Sequence, residues 1–327
     1  MSGRRIVVSG SIATDHLMVF PGKFSEQLVT GELDKISLSF LVDDLEVRRG
    51  GTGANIAFGM GSMGLSPVLV GAVGRDFGSY RSWLEQHRVD TRSVLVSDRK
   101  HTARFVCTTD AMQNQIASFY GGAMAEAHEI GLDAVVERVG EPRLVVIAPN
   151  DPAAMMRHTE ECRQWGFPFA ADPSQQLARM DGREIRALVT GAVCLFTNEY
   201  ETSLLLRATG WSTDTVLNKV GCWVMTHGAD GVHIRSTAGS TIVRAVPTDR
   251  PADPTGVGDA FRAGFLWGVH VRLGLERSAQ VGCTLATIAL ESIGTQEYRL
   301  DRADFSERIA RVYGGEAAGE IESRLRV

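Results

Sequence analysis

Leu144-Val145-Val146-Ile147-Ala148, Phe167-Pro168-Phe169-Ala170-Ala171, Val193-Cys194-Leu195-Phe196 and Cys222-Trp223-Val224-Met225-Thr226 are short apolar runs within the stretch 144–226. Between them lie segments of helical length and pattern, over 152–165, 183–190 and 199–208. Continuous apolar runs suit strands buried on both faces, and their alternation with helices is the mark of βαβ units on a parallel sheet. The stretch therefore predicts a doubly wound α/β fold.

Working outward, the run from Arg4 to Gly10 reads as another buried strand of that sheet. A helix rich in small residues is expected at 53–64, a strand at 67–72 and a helix at 77–87. Residues 17–49 differ, because Lys35-Ile36-Ser37-Leu38-Ser39-Phe40-Leu41 alternates like a strand and lacks a helical period. Residues 102–109 and 115–120 are rich in Thr, Phe, Val, Ile and Tyr and read as a hairpin. These segments predict a small β lid, 17–49 plus 101–120, grafted on an α/β body formed by 1–16, 50–100 and 121–327. The last third reads as helices at 258–272, 275–291 and 302–313.

The net charge of −5 over 327 residues argues against a nucleic-acid partner, which selects a basic face. The five cysteines are scattered with no CxxC pair, as expected of reduced thiols in a cytosolic protein. Arg4-Arg5 leads into only a short apolar run, so no secretory signal is read, and no run is long enough to span a membrane. A cytoplasmic location is expected.

Chemistry concentrates in three places. Asp253-Pro254-Thr255-Gly256-Val257-Gly258-Asp259-Ala260-Phe261 sets a glycine turn before a long helix. Such a helix start offers unpaired N–H groups and a positive dipole end to an anion, and Asp259 there could accept a proton from a hydroxyl. A plain turn with Asp259 as a helix cap is the bland reading. Gly50-Gly51-Thr52-Gly53-Ala54-Asn55 is a second glycine turn feeding a helix, able to set backbone and the Asn55 amide against a polyhydroxylated ligand. In Asn198-Glu199-Tyr200-Glu201, Asn198 and Glu201 lie one turn apart at a helix start.

The three motifs, in this order, resemble the ribokinase-like (PfkB-type) kinases, with Pro254 and Val257 replacing the family's usual Thr and Ala. The resemblance implies a three-layer α/β/α body with Asp259 as catalytic base and the Gly256, Val257 and Gly258 amides as an anion hole. Asn198 and Glu201 would organise Mg²⁺, through water, and the phosphates of ATP. Asp253 and Thr255 would hold a monovalent cation such as K⁺. Thr226, Gly228 and Gly231 of the loop after 222–226 would lie beside ATP.

Further segments, His101-Thr102-Ala103-Arg104-Phe105, Gln115-Ile116-Ala117-Ser118-Phe119-Tyr120 and Asp172-Pro173-Ser174-Gln175-Gln176-Leu177 among them, are similar to actinobacterial adenosine kinases. That similarity implies ribose contacts from Asp15, Asn55 and Gly51, base packing by Phe105 and Phe119, and polar contacts from Ser11, Gln175 and Gln176. It also implies a homodimer through the lid, with Ser39 reaching the partner's site. The expected reaction is ATP-dependent phosphorylation of adenosine to AMP; a ribokinase or fructokinase, or a non-catalytic nucleoside binder, are the alternatives.

Other signals are set aside. Gly59-Met60-Gly61-Ser62-Met63-Gly64 matches a dinucleotide fingerprint but falls within a helix rather than after a strand. No Walker A sequence is present. His158 and Cys162 sit one turn apart without a second metal-binding pair.

Overall fold

The computed structural model describes residues 4–27 and 39–325. The chain opens with β1 (Ile6–Ser9), β2 (Ala13–Val19), α1 (Phe24–Gln27), β3 (Asp44–Gly50), α2 (Thr52–Ser62) and β4 (Val68–Gly74). It continues through α3 (Gly78–Gln86), β5 (Asp90–Ser97), β6 (Ala103–Thr109), β7 (Gln115–Tyr120), α4 (Leu132–Val139) and β8 (Leu144–Ile147). Helix and strand then alternate, with two helices before the last strand: α5 (Pro152–Trp165), β9 (Phe169–Ala171), α6 (Gly182–Val189), β10 (Cys194–Asn198), α7 (Glu199–Thr209), α8 (Thr213–Leu217) and β11 (Cys222–Thr226). After β12 (Val232–Ser236) and β13 (Gly239–Val243), the chain ends in α9 (Val257–His270), α10 (Leu275–Leu290), α11 (Arg302–Tyr313) and α12 (Gly315–Glu322).

The large sheet runs β13-β12-β11-β10-β9-β8-β1-β4-β5, parallel except for the β11-β12-β13 edge. Strand side chains alternate between two cores. Ile6 and Val8 of β1 enter a core with Phe58, Leu84, Phe265 and Leu285, while Val7 enters another with Met155, Ile185 and Leu205. Helices therefore cover both faces, giving the three-layer α/β/α body of a ribokinase-like fold. β1 pairs with β4 on one side and β8 on the other, where the strand order reverses. A crevice opens at such a reversal, at the carboxyl ends of the strands, and it is the usual ligand site of these sheets.

A second sheet, β3-β2-β6-β7, begins at Ala13, ahead of the expected boundary at 17. β2 leaves the body directly after the β1 turn because it pairs along its whole length with β3 and β6. Of the strand read at 35–41, residues 35–38 lie outside the described residues, and Ser39–Leu41 form no strand. Phe40 packs within its own chain instead, with ring centroids 4.8 Å from Phe20 and 5.3 Å from Phe24. Phe40 thus feeds an aromatic cluster and not a ladder.

Candidate active site

The loop after β1 organises the site. Ser11 N–H donates to the Pro149 carbonyl at 2.8 Å, joining the ends of β1 and β8. The Ser11 hydroxyl accepts from Thr52 N–H at 3.0 Å, and its carbonyl accepts from Ala54 N–H at 3.1 Å. Ser11 therefore supplies the cap that α2 lacks, because the preceding residue is Gly51. Gly51 has φ 92°, and a Cβ there would stand 2.7 Å from Ala13 N, so no larger residue fits. At the other wall, Gly256 precedes α9 with φ 77°, and a Cβ would press on Thr295 at 2.9 Å.

Between these two helix starts lies a cavity of about 560 Å³. Asp259, Asn55, Asp15 and Ser11 line it, as do Gly51, Thr255 and Gly256. So do Phe105 and Phe119, directly opposite each other in the β6–β7 register and so on one face, and Gln175 and Gln176 from the turn after β9. Thr52, Met124, Pro149, Ala178, Arg179 and Thr295 also line it and were not expected. Arg179, four residues beyond Gln175, was the one most open to reading from its own segment.

Other expected residues fall outside the cavity. Val257 and Gly258 form the first turn of α9 at its edge. Asn198 and Thr226 pair in register at the carboxyl ends of β10 and β11, followed by the Gly228–Gly231 turn, so the expected ATP residues cluster together. Ser39 is exposed and does not line the cavity of its own chain.

Asn55 lines the cavity and makes a bond that its own segment did not foretell. It donates from Nδ2 to Asp259 Oδ2 at 2.8 Å, so its first partner is a side chain of the opposite wall. Burial pushes the Asp259 carboxyl up to about 6, against the pull of Arg262 and of this hydrogen bond. Arg262, one turn further along α9, is buried, with Nε 2.6 Å from Asp172 Oδ2 and Nη2 3.9 Å from Glu201 Oε2. Burial pushes Asp172 up to about 7, opposed chiefly by Arg262. Asp15 is likewise pushed up to about 6 by burial, with Arg48 opposing.

Asn198 and Glu201 close a reciprocal capping box: Glu201 N–H donates to Asn198 Oδ1 and Asn198 N–H to Glu201 Oε2, each at 2.8 Å. Glu201 Oε1 accepts from Ser174 at 3.1 Å. Each carboxylate oxygen accepts one hydrogen bond within the chain and keeps a second lone pair that a metal-bound water could use. Asp253 does not fit the expected monovalent-cation ligand. Its Oδ1 accepts from Thr255 N–H, its Oδ2 from Gly294 N–H, and the Arg48 guanidinium already stands 3.2 Å from Oδ2. His158 is a core residue, its ring nitrogens bonded to Ser9 Oγ and the Ile130 carbonyl at 2.7 and 2.8 Å.

Residues 12–302 match the pfkB family carbohydrate kinase pattern, and the chain belongs to that family. It is 31% identical over 272 residues to the nucleoside kinase of Methanothermobacter thermautotrophicus, covering 82% of this chain and 86% of that protein. It is 25% identical over 252 residues to the ribokinase of Bacillus subtilis, covering 76% of this chain and 83% of that one. Among solved structures, the ligand-free nucleoside kinase of Burkholderia thailandensis superposes with a TM-score of 0.84 at 32% identity, over 93% of this chain and 99% of that chain. The same kinase in complex with inosine gives 0.81.

Arg262→Met tests the electrostatic floor of the site, since it leaves Asp172 and Glu201 without their cation. The loss of stability should be about 3–5 kcal/mol at pH 8, the usual cost of orphaning a buried charge. Folding raises Asp172 toward pH 7, so protonation relieves the orphaned charge as pH falls, and the loss should be smaller at pH 6. Denaturant unfolding at both pH values checks this; an equal loss at both would contradict it.

Proposed function

We propose that this kinase transfers the γ-phosphoryl group of ATP to the 5′-hydroxyl of a purine nucleoside, adenosine, giving AMP and ADP. The observation that carries this reading is the opposed pair Phe105 and Phe119 facing the same cavity as Asp259 and Asp15. An aromatic pair suits the face of a base, and a carboxylate suits two ribose hydroxyls. The flat face of a base uses an aromatic pair more fully than a bare sugar does. Gln176 adds a preference. Its Nε2 donates to the Asn150 carbonyl at 2.8 Å, while its buried Oε1 has no partner among the described residues. A shift of this side chain on ligand binding would offer that acceptor to a donor on the base, such as the amino group of adenine. The relatives named as nucleoside kinases support the substrate class.

In this mechanism Asp259 takes the proton of the attacking hydroxyl, for which a carboxyl held near 6 is well matched to neutral pH. The amides of Gly256, Val257 and Gly258 hold the charge developing on the transferred group. Asn198, Thr226, Gly228 and Gly231 sit beside the nucleotide. Asn198 and Glu201 would hold Mg²⁺ through water, and the ion would supply neutralisation of phosphate charge. Most of the rate enhancement in such a transfer is positioning and electrostatics.

Steady-state turnover with adenosine, inosine, ribose and fructose should favour adenosine. Phe119→Ala or Phe105→Ala should weaken adenosine binding by about 1–3 kcal/mol, the worth of a base-stacking aromatic, and leave ribose binding unchanged. Parent-like adenosine affinity in both variants would place the base elsewhere.

The proposal includes a homodimer through the second sheet, with Ser39 entering the partner's site. Leu45 and Val47, two residues apart and so on one face of β3, are each 54% exposed, and Leu41 is 84% exposed. Soluble proteins usually cover such a patch, and a two-fold dimer is the commonest cover. Phe40 is committed to its own cluster, so Val47→Glu is the cleaner probe. Sedimentation should find a dimeric parent and a monomeric variant with reduced adenosine affinity; a monomer with unchanged affinity would refute the shared site.

A further inference from the structure

We propose that Gln296, with Tyr80 and Thr295, is a positioning residue for phosphoryl transfer, locking Asn55 in the one orientation from which it donates to Asp259. This rests on the reading of Asp259 as the base.

The argument follows donors and acceptors along one buried chain. The Tyr80 hydroxyl donates to the Gly50 carbonyl at 2.8 Å, and a carbonyl can only accept. The Tyr80 oxygen must therefore accept from its other neighbour, Gln296, whose amide nitrogen stands 2.5 Å away. That fixes which end of the Gln296 amide faces inward. Its nitrogen also donates to Asn55 Oδ1 at 2.8 Å. The Thr295 hydroxyl, with a single hydrogen to share, stands 2.9 Å from the same Oδ1 and 2.8 Å from the Arg49 carbonyl. Asn55 Oδ1 is thus held by donors, and Asn55 Nδ2 is turned to Asp259 Oδ2 at 2.8 Å. Rotating the Asn55 amide would oppose two carbonyl-type oxygens at Asp259 and two amide nitrogens at Gln296.

Every member is sequestered: Asn55 and Tyr80 are 4% exposed, Thr295 5% and Gln296 1%. Burial pushes the Tyr80 phenol up, so it stays a donor throughout the working range. Two consequences follow. Asp259 Oδ2 is occupied, which leaves Oδ1 to receive the hydroxyl proton. Asn55 can offer a ligand only its second N–H, never its carbonyl, so it selects an oxygen acceptor there. The other charged or titratable groups facing Asp259 are Arg262 on its own helix, Glu201 from α7, Asp172 after β9, and the phenols of Tyr80 and Tyr298. None of these is altered by replacing Gln296 with an uncharged residue.

The test is Gln296→Met, which keeps bulk and removes the amide. Asn55 then loses its lock and donates less firmly to Asp259, so the base binds its proton more tightly. The acid limb of kcat/KM against pH should move to higher pH by roughly half a unit or more, as for loss of a bond to a charged form. kcat at pH 8 should fall about tenfold, a part of what a positioned base contributes, with KM for ATP unchanged. Tyr80→Phe, which frees Gln296 to turn, should move the limb in the same direction by less; it decides the matter if Gln296→Met fails to fold. A parent-like limb in a folded variant overturns the proposal. Asp259→Asn as a control separates the two claims. If it stays active, the base assignment fails; if it is dead while Gln296→Met keeps the parent profile, only the positioning role fails.

Discussion

The 2.8 Å hydrogen bond from Asn55 to Asp259 joins the starts of α2 and α9, which belong to glycine turns some 200 residues apart in the chain. Each helix start is fixed separately, α2 by Ser11 and the Gly51 backbone, α9 by the left-handed Gly256. The bond between them sets the width of the cavity and the direction of the carboxylate. What lies around it is support. Arg262 beneath Asp259 balances Asp172 and Glu201, and the buried amide chain through Gln296 and Tyr80 orients Asn55 from behind.

This arrangement sets stability against chemistry. Asp15, Asp172 and Asp259 are all pushed upward by burial, so each is held in a form the folded state would sooner protonate. A carboxyl raised by folding favours the folded state at low pH and opposes it as pH climbs past its folded value. On the proposed role of Asp259, that opposition accompanies a base that titrates near its working pH, where it is most effective. Arg48 and Arg262 limit the penalty from two sides. Arg48 also links β3 of the second sheet to Asp253, just before the glycine turn that opens α9, so the second sheet and that turn share an ion pair.

The body was legible from sequence because buried parallel strands are continuous apolar runs, and β8 to β11 lie within two residues of the segments read at 144–226. The family motifs marked both helix starts, and the resemblance to adenosine kinases pointed to Phe105 and Phe119, which the β6–β7 register sets on one face. The hairpin β12–β13 and strand β5 went unread, since all three strands mix polar and apolar residues. Asn55 was read toward a ligand without its bond to Asp259, for a different reason. Its decisive partner is remote in sequence, and spacing says nothing about which of two walls an amide will face. Gln296, Tyr80 and Arg262 were missed on the same grounds, as their meaning lies in hydrogen bonds and charge balance rather than in any local pattern.

The central claim, that a buried aspartate held by Asn55 is the proton acceptor, is tested most directly by Asp259→Asn, assayed for both adenosine binding and turnover. The substitution keeps size and removes the proton acceptor. Calorimetric binding of adenosine should be close to that of the parent, while kcat falls roughly 10²–10⁴-fold or more. Near-parent turnover in a variant that binds adenosine normally would contradict the account.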